Sequence, residues 1–270
     1  MSRTRTARRT GWALPALLLA ALFLLGPEAR AAGVRVSQES KPGAGDFARN
    51  VLGRLQIVHA PGQTAGEFYA YNEVANWSYN GRRPVLRAGA SHLFLARVKE
   101  GLALFMVHDR PNNSDGGAAV TRTEAEGNAL TARMLVQDDP LGQRDQYEAD
   151  PRGASFTAWH MWNLCCTDGL VTGPYAGNWK IYVRFIEPPA GLNEWAALSG
   201  DGGEIRLRLE PGRRVLLEPE GDMVRGPGPS VSFFGGKRSR TGPALSFRGS
   251  AATEESSLAA RNVDSSRSLP

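Results

Sequence analysis

A succession of short runs rich in β-branched, aromatic and aliphatic residues, each closed by Gly, Pro, Asn or Asp, constrains this chain more than any other feature. The runs are Leu52 to His59, Glu67 to Asn72, His92 to Val98, Ala103 to His108, Ala118 to Thr123, Ala129 to Val136, Trp179 to Ile186, Ile205 to Leu209 and Arg214 to Glu218. Runs of this length between turn residues are strands, and no long stretch of helical periodicity competes with them. Eight or nine strands at that spacing predict an all-β fold, a single two-sheet sandwich of jelly-roll or immunoglobulin-like kind over residues 49–220. In Ile205-Arg206-Leu207-Arg208-Leu209 the period of two puts aliphatics on one face and arginines on the other. Turns at 200–203 and 210–213 flank it, so the region reads as a hairpin. Helix is expected only as a turn or two around Leu192 to Leu198.

The two ends of the chain differ from this body. Residues 1–31 have the three parts of an export signal: Arg3, Arg5, Arg8 and Arg9, an apolar run from Trp12 to Leu25, and a small-residue exit at Ala29-Arg30-Ala31. Cleavage after Ala31 is expected, with an uncleaved anchor as the alternative. The mature chain then carries no transmembrane segment and works as a secreted, periplasmic or cell-surface protein. Residues 32–48 read as a linker, and residues 221–270, rich in Gly, Pro, Ser and Ala, as a disordered tail. The whole chain holds 32 Lys+Arg against 27 Asp+Glu, but without residues 1–31 the counts are 27 and 26, a net charge of +1. A nearly neutral domain gives no reason to expect nucleic acid as a partner.

Two stretches carry the unusual chemistry. The first, Trp159-His160-Met161-Trp162-Asn163-Leu164-Cys165-Cys166-Thr167-Asp168-Gly169, holds both cysteines. In an oxidising compartment they pair with each other, pair between chains, or stay reduced. A bridge between neighbours would make a rigid turn beside indoles, a platform for a sugar ring or another flat ligand, with Trp159, His160, Trp162, Cys165, Cys166 and Asp168 as the ligand-binding set. The second, Val107 to Gly117, places Asp109, Asn112, Asn113 and Asp115 on a glycine-rich connection. Calcium takes six to eight oxygen ligands on a flexible loop, so Asp109, Asn112 and Asp115, with Asp138 and Asp139 from a third loop that also holds Asp145, make a candidate calcium site. The spacing is not that of an EF-hand, and an Asx-rich turn that satisfies its own backbone is the alternative. His108, Asp109 and His160 form an alternative catalytic set for a hydrolase, although no nucleophile elbow and no zinc-binding spacing accompanies them.

Taken together, Val107-His108-Asp109 with Pro111-Asn112 and Gly116-Gly117, the Asp138-Asp139-Pro140 turn, and Trp162 with Cys165-Cys166-Thr167-Asp168-Gly169 resemble a group of uncharacterised secreted microbial proteins with a Cys-Cys-Thr-Asp-Gly signature. The resemblance covers roughly residues 50–220. It implies export and a β-rich fold and brings no activity with it. The residues themselves point to a secreted or cell-surface binding module, calcium-dependent, that contacts a glycan or an extracellular matrix polymer. The alternatives are an exported hydrolase and a purely structural envelope or coat component.

Overall fold

The structure, a computed structural model, describes residues 33–71, 78–127, 131–139, 145–152 and 155–220. The expected export signal and the expected tail lie outside the described residues. Within them the chain is mostly strand, arranged as two sheets with a shared core.

The first sheet runs in the order β2-β1-β14-β11-β6-β9-β8, from β1 (Val34–Gln38), β2 (Val51–Leu55), β6 (Gly117–Gly127), β8 (Gln146–Ala149), β9 (Ser155–Trp162), β11 (Trp179–Phe185) and β14 (Val215–Pro219). The second runs β13-β12-β4-β5-β10-β7, from β4 (Ala90–Val98), β5 (Gly101–His108), β7 (Arg133–Gln137), β10 (Asp168–Tyr175), β12 (Glu194–Leu198) and β13 (Glu204–Leu207). A short β3 (Val58–His59) pairs with β4 beside β12. The pairs of β4 with β3 and β12 are parallel; the other described pairs are antiparallel.

Alternation along the strands of the first sheet sends Val34, Val36, Phe156, Ala158, Ile181, Val183 and Phe185 into the space between the sheets. There they meet Leu93, Leu95, Leu104, Met106 and Leu170 of the second sheet. The second sheet is buried on its other face too. Phe94, Phe105, Val107 and Val171 pack there with Phe68 and Tyr69 from a single-turn helix α1 (Ala65–Tyr69). Burial on both faces is why β4 and β5 read as nearly unbroken apolar runs.

Several expectations are corrected. The segment read as a strand from Glu67 to Asn72 holds α1 instead, started by a capping box in which Thr64 accepts from the Glu67 N–H and Glu67 accepts from the Thr64 N–H. The segment read as helical, Leu192 to Leu198, is β12. Residues 32–48, read as a linker, contain β1, which is paired on both sides and has Val34 and Val36 fully buried. The hairpin expected at Ile205 to Leu209 forms across the 200–203 turn but not across the 210–213 turn. β13 pairs with β12 across the 200–203 turn, whereas β14 pairs with β1 and β11 in the other sheet. The chain therefore crosses between sheets at 208–214. No helix among the described residues is long and apolar enough to cross a membrane.

Register brings the chemically unusual segments to one end of the sandwich. His108 lies between Ser91 of β4 and Asp168 of β10, Trp162 lies opposite Gly117, and Gln137 lies opposite Leu170.

Candidate functional site

The sulfurs of Cys165 and Cys166 are bonded to each other, closing the turn between β9 and β10. Cys165 is exposed and Cys166 is buried. The 109–117 loop is tied to that turn by main-chain bonds from the Asn112 N–H to the Cys165 carbonyl at 2.7 Å and from the Ser114 N–H to the Leu164 carbonyl at 3.1 Å. Beneath them Asp109 is fully buried with φ at +69°. One carboxylate oxygen accepts from the Gly89 N–H at 2.8 Å and from the Asn113 amide, the other from the Trp162 indole N–H at 3.1 Å. Gly117 has a specific role here, since a Cβ would lie 2.3 Å from the Trp162 ring. The loop is thus fastened from below by one carboxylate.

That geometry separates the residues grouped from sequence. Asp109 spends its oxygens on protein donors, Asn112 and Asp115 are exposed, and Asp138 belongs to a different cluster. Among the described residues no set of three or more His, Cys, Asp or Glu side chains is placed to hold a metal ion. Of the six residues grouped for ligand binding, Cys165 is exposed and Trp159 half-buried, whereas His160, Trp162, Cys166 and Asp168 are buried.

The histidines do not form a catalytic set with Asp109, which bonds to neither imidazole. His108 Nδ1 shares a hydrogen bond with the Ser91 hydroxyl at 2.9 Å, and its ring stacks on Trp162 at 5.5 Å. Its ring centre is 4.9 Å from that of His160. Burial, reinforced by the neighbouring histidines His160 and His92, holds the His108 pKa well below its usual range, and burial alone lowers that of His160 to about 3. Both rings are therefore neutral near pH 7. His160 has no hydrogen-bond partner on either ring nitrogen. Replacing a buried polar group that makes no bond with an apolar one of similar volume is nearly neutral or stabilising. His160→Leu is therefore expected to change stability by no more than about 1 kcal/mol, or to raise it, in urea denaturation. A loss of several kcal/mol would instead reveal a bonded imidazole.

The densest polar constellation joins Asp138, Asp139 and Asp145, which the sequence places near one another, to Asp168, which no sequence spacing linked to them. Asp138 and Asp139 follow β7, Asp145 precedes β8, and Asp168 opens β10. The Met161 N–H donates to both Asp145 Oδ1 and Asp168 Oδ2, each at 3.0 Å, so the two carboxyl groups face one another. Tyr69 donates to Asp138 Oδ2 at 2.6 Å, Tyr71 donates to Asp139, and Tyr147 donates to the Asp138 carbonyl. Asp138 Oδ1 is buried without a partner. A Cβ on Gly169 would lie 2.7 Å from the Tyr69 hydroxyl, so glycine is what lets that phenol in. None of the ion pairs among the described residues involves these four aspartates. Burial pushes the Asp138 pKa up to about 8, against the pull of the Tyr69 hydrogen bond and with the push of Asp139 and Asp145. Burial raises Asp168 well above the carboxylate range, with Asp145 and Asp138 adding to it, and burial raises Asp145 as well.

On the outer face of the first sheet, directly beside this cluster, a shallow groove of about 230 Å³ is lined by Val120, Gln146, Trp159, Met161, Glu187 and Pro188. Gln146 lies opposite Trp159 in the ladder, and Met161 is 48% exposed. A larger cleft of about 420 Å³ lies away from this end, between the 199–204 turn and residues 83–85. Two of its polar groups are committed to local bonds, Ser199 Oγ to the Gln56 N–H and Asp201 Oδ1 to the Gly203 N–H. Sequence reasoning singled out the stretch that holds Trp159 and Met161 but missed Gln146 and Glu187 as their neighbours, because adjacency between separate segments leaves no mark in the sequence. The aromatic cluster holding Tyr69 and Tyr71 is visible in the chain; its aspartate partners are not. The chain matches no protein-family model, no curated protein and no solved structure.

Proposed function

We propose that this chain is an exported binding module that takes a glycan, free or within an extracellular matrix polymer, in the groove at Trp159. The observation that carries the reading is the pairing of an indole with exposed Gln146 and Glu187 side chains along one open groove. Sugar rings offer an apolar face for an aromatic ring and hydroxyls for amide and carboxylate groups. Rigidity favours such a site because little ordering entropy is lost on binding. Here the groove lies on paired strands, and the adjoining tip is held by the disulfide turn and by Asp109. The tip exposes Leu164 at 63% of its surface and extends the contact area.

Screening the protein on immobilised polysaccharides, followed by calorimetry on each hit, tests the reading. Trp159→Ala is expected to weaken binding by at least about tenfold, the loss of roughly 1.4 kcal/mol of stacking, with an unchanged melting temperature. Binding that survives Trp159→Ala, or a screen without hits, would sink it.

A further inference from the structure

We propose that Asp138, Asp145 and Asp168 form a proton-held latch: shared protons, rather than a basic side chain or a cation, pin the end of β7 and the start of β8 against β10, and alkaline deprotonation loosens that attachment.

The described geometry favours protons as what neutralises the cluster. Asp145 and Asp168 converge on one N–H, that of Met161, so two carboxylates there would face each other with a single donor between their near oxygens. Like charges at such separation do not both ionise, and one proton stays between them. Asp138 has a fully buried oxygen with no partner, an arrangement far costlier for a charged carboxylate than for a neutral acid. Among the described residues, the groups facing the latch add no positive charge. They are Tyr69 from α1 and Tyr71 just after it, Asp139 after β7, Tyr147 from β8, the neutral His160 from β9, and the neutral His108, which pairs with Asp168 along the β5–β10 ladder. No Lys or Arg among the described residues makes an ion pair with the four aspartates, and no cation-holding set is formed there.

The sign follows from the raised pKa values. A carboxyl that holds its proton more tightly folded than unfolded stabilises the fold below the ordinary carboxylate range, and that contribution is lost as pH rises through the folded value. For Asp138 that value is about 8. β8 is an edge strand, paired with β9 among the described strands, so its first residues depend for further attachment on the Asp145 side chain and on the Tyr147 hydroxyl bonded to the Asp138 carbonyl. Gln146 of β8 also lines the Trp159 groove. If the glycan reading holds, on which this consequence alone rests, affinity falls over the same pH range.

The test has two readouts that do not involve a ligand. Infrared spectra of the wild-type protein in heavy water near neutral pH are expected to show protonated carboxyl absorption that disappears as pH is raised to about 10. Melting temperature is expected to fall by about 3–6 °C between about pH 6 and about pH 10 in the wild type, and to fall by clearly less in Asp138→Asn and Asp168→Asn, whose amides do not ionise. Absence of protonated carboxyl signal at neutral pH overturns the proposal even if both variants fail to fold. So does an unchanged pH slope in the variants, or a rise in melting temperature on adding calcium that chelator reverses. Loss of glycan binding at every pH with the infrared and melting results as expected would leave the latch standing and count against the groove alone.

Discussion

Asp109→Ala is expected to destabilise the domain by about 3–5 kcal/mol, which for a domain of this size lowers the melting temperature by roughly 10 °C. Three donors lose their acceptor at once: the Gly89 N–H, the Asn113 amide and the indole N–H of Trp162. Asn113 is half-buried and can turn toward water, but Trp162 is only 4% exposed. Its N–H would stay buried without a partner, at a cost of about 1–3 kcal/mol. A second term comes from the backbone. Asp109 has φ of +69°, a conformation that Asp tolerates better than Ala because its short polar side chain bonds locally. Asp109→Asn keeps one acceptor oxygen and the left-handed preference, so a smaller loss, about 1–2 kcal/mol, is expected. Urea denaturation followed by tryptophan fluorescence measures both. A loss below about 1 kcal/mol for the alanine variant would mean that this carboxylate is not what fastens the 109–117 loop to the disulfide turn.

Phe105→Ala is expected to cost a similar amount, about 3–5 kcal/mol, with a more local structural consequence. The Phe105 ring is fully buried, stacked on Phe94 at 4.9 Å and 12°, with Phe68 edge-on at 5.2 Å. Together with the bonds from the Ala65 N–H to the Glu100 carboxylate, these contacts hold α1 to the outer face of the second sheet. A five-residue helix has no stability of its own, so its position depends on that packing and on its capping box. Removing the ring therefore also loosens the Tyr69 hydroxyl from Asp138. Hydrogen exchange of peptides covering residues 64–71 should accelerate in Phe105→Ala well beyond what global destabilisation explains. Phe105→Leu fills most of the volume and is expected to lose only about 1–1.5 kcal/mol, with exchange at α1 near that of the wild type. Equal exchange in both variants would show that the cap, not the aromatic stack, positions the helix.

The Asp109 anchor and the carboxyl cluster occupy one end of the sandwich, yet their buried carboxyl groups are accommodated differently. Asp109 stays in contact with three neutral donors, whereas the cluster around Asp138 relies on its own raised proton affinity. Glu39, at the far side of the first sheet, shows the third solution. It is buried, accepts from the Arg214 guanidinium at 2.7 Å and from the Gly45 N–H at 2.9 Å, and its pKa is lowered, these bonds outweighing the opposing push of burial.

Much of the strand content was legible because period and punctuation are local. Ile205 to Leu207 alternates outward and inward as its pattern requires, and the unbroken apolar character of β4 and β5 marks strands covered on both faces. The failures were local conflicts settled by distant partners. Glu67 to Tyr69 has strand-like composition, but the capping box at Thr64 and the aromatic bed of Phe94 and Phe105 make it helical. β1 looks like linker until β14, nearly two hundred residues away in sequence, pairs with it.

For the site, the sequence alone determined which residues carry unusual chemistry, because a lone pair of adjacent cysteines, a run of Asx residues and a tryptophan beside them are recognisable wherever they sit. It could not determine how they divide. Only the tertiary structure decided that Asp109 faces inward to Trp162 while Asp138 joins Asp145, Asp168 and three tyrosines, and that Trp159 points away from His160 and Trp162 into an open groove. The reason is physical: successive side chains on a strand go to opposite faces, so their environments are set by which strands pair, and pairing is chosen by burial summed over the whole domain rather than by any one stretch of it.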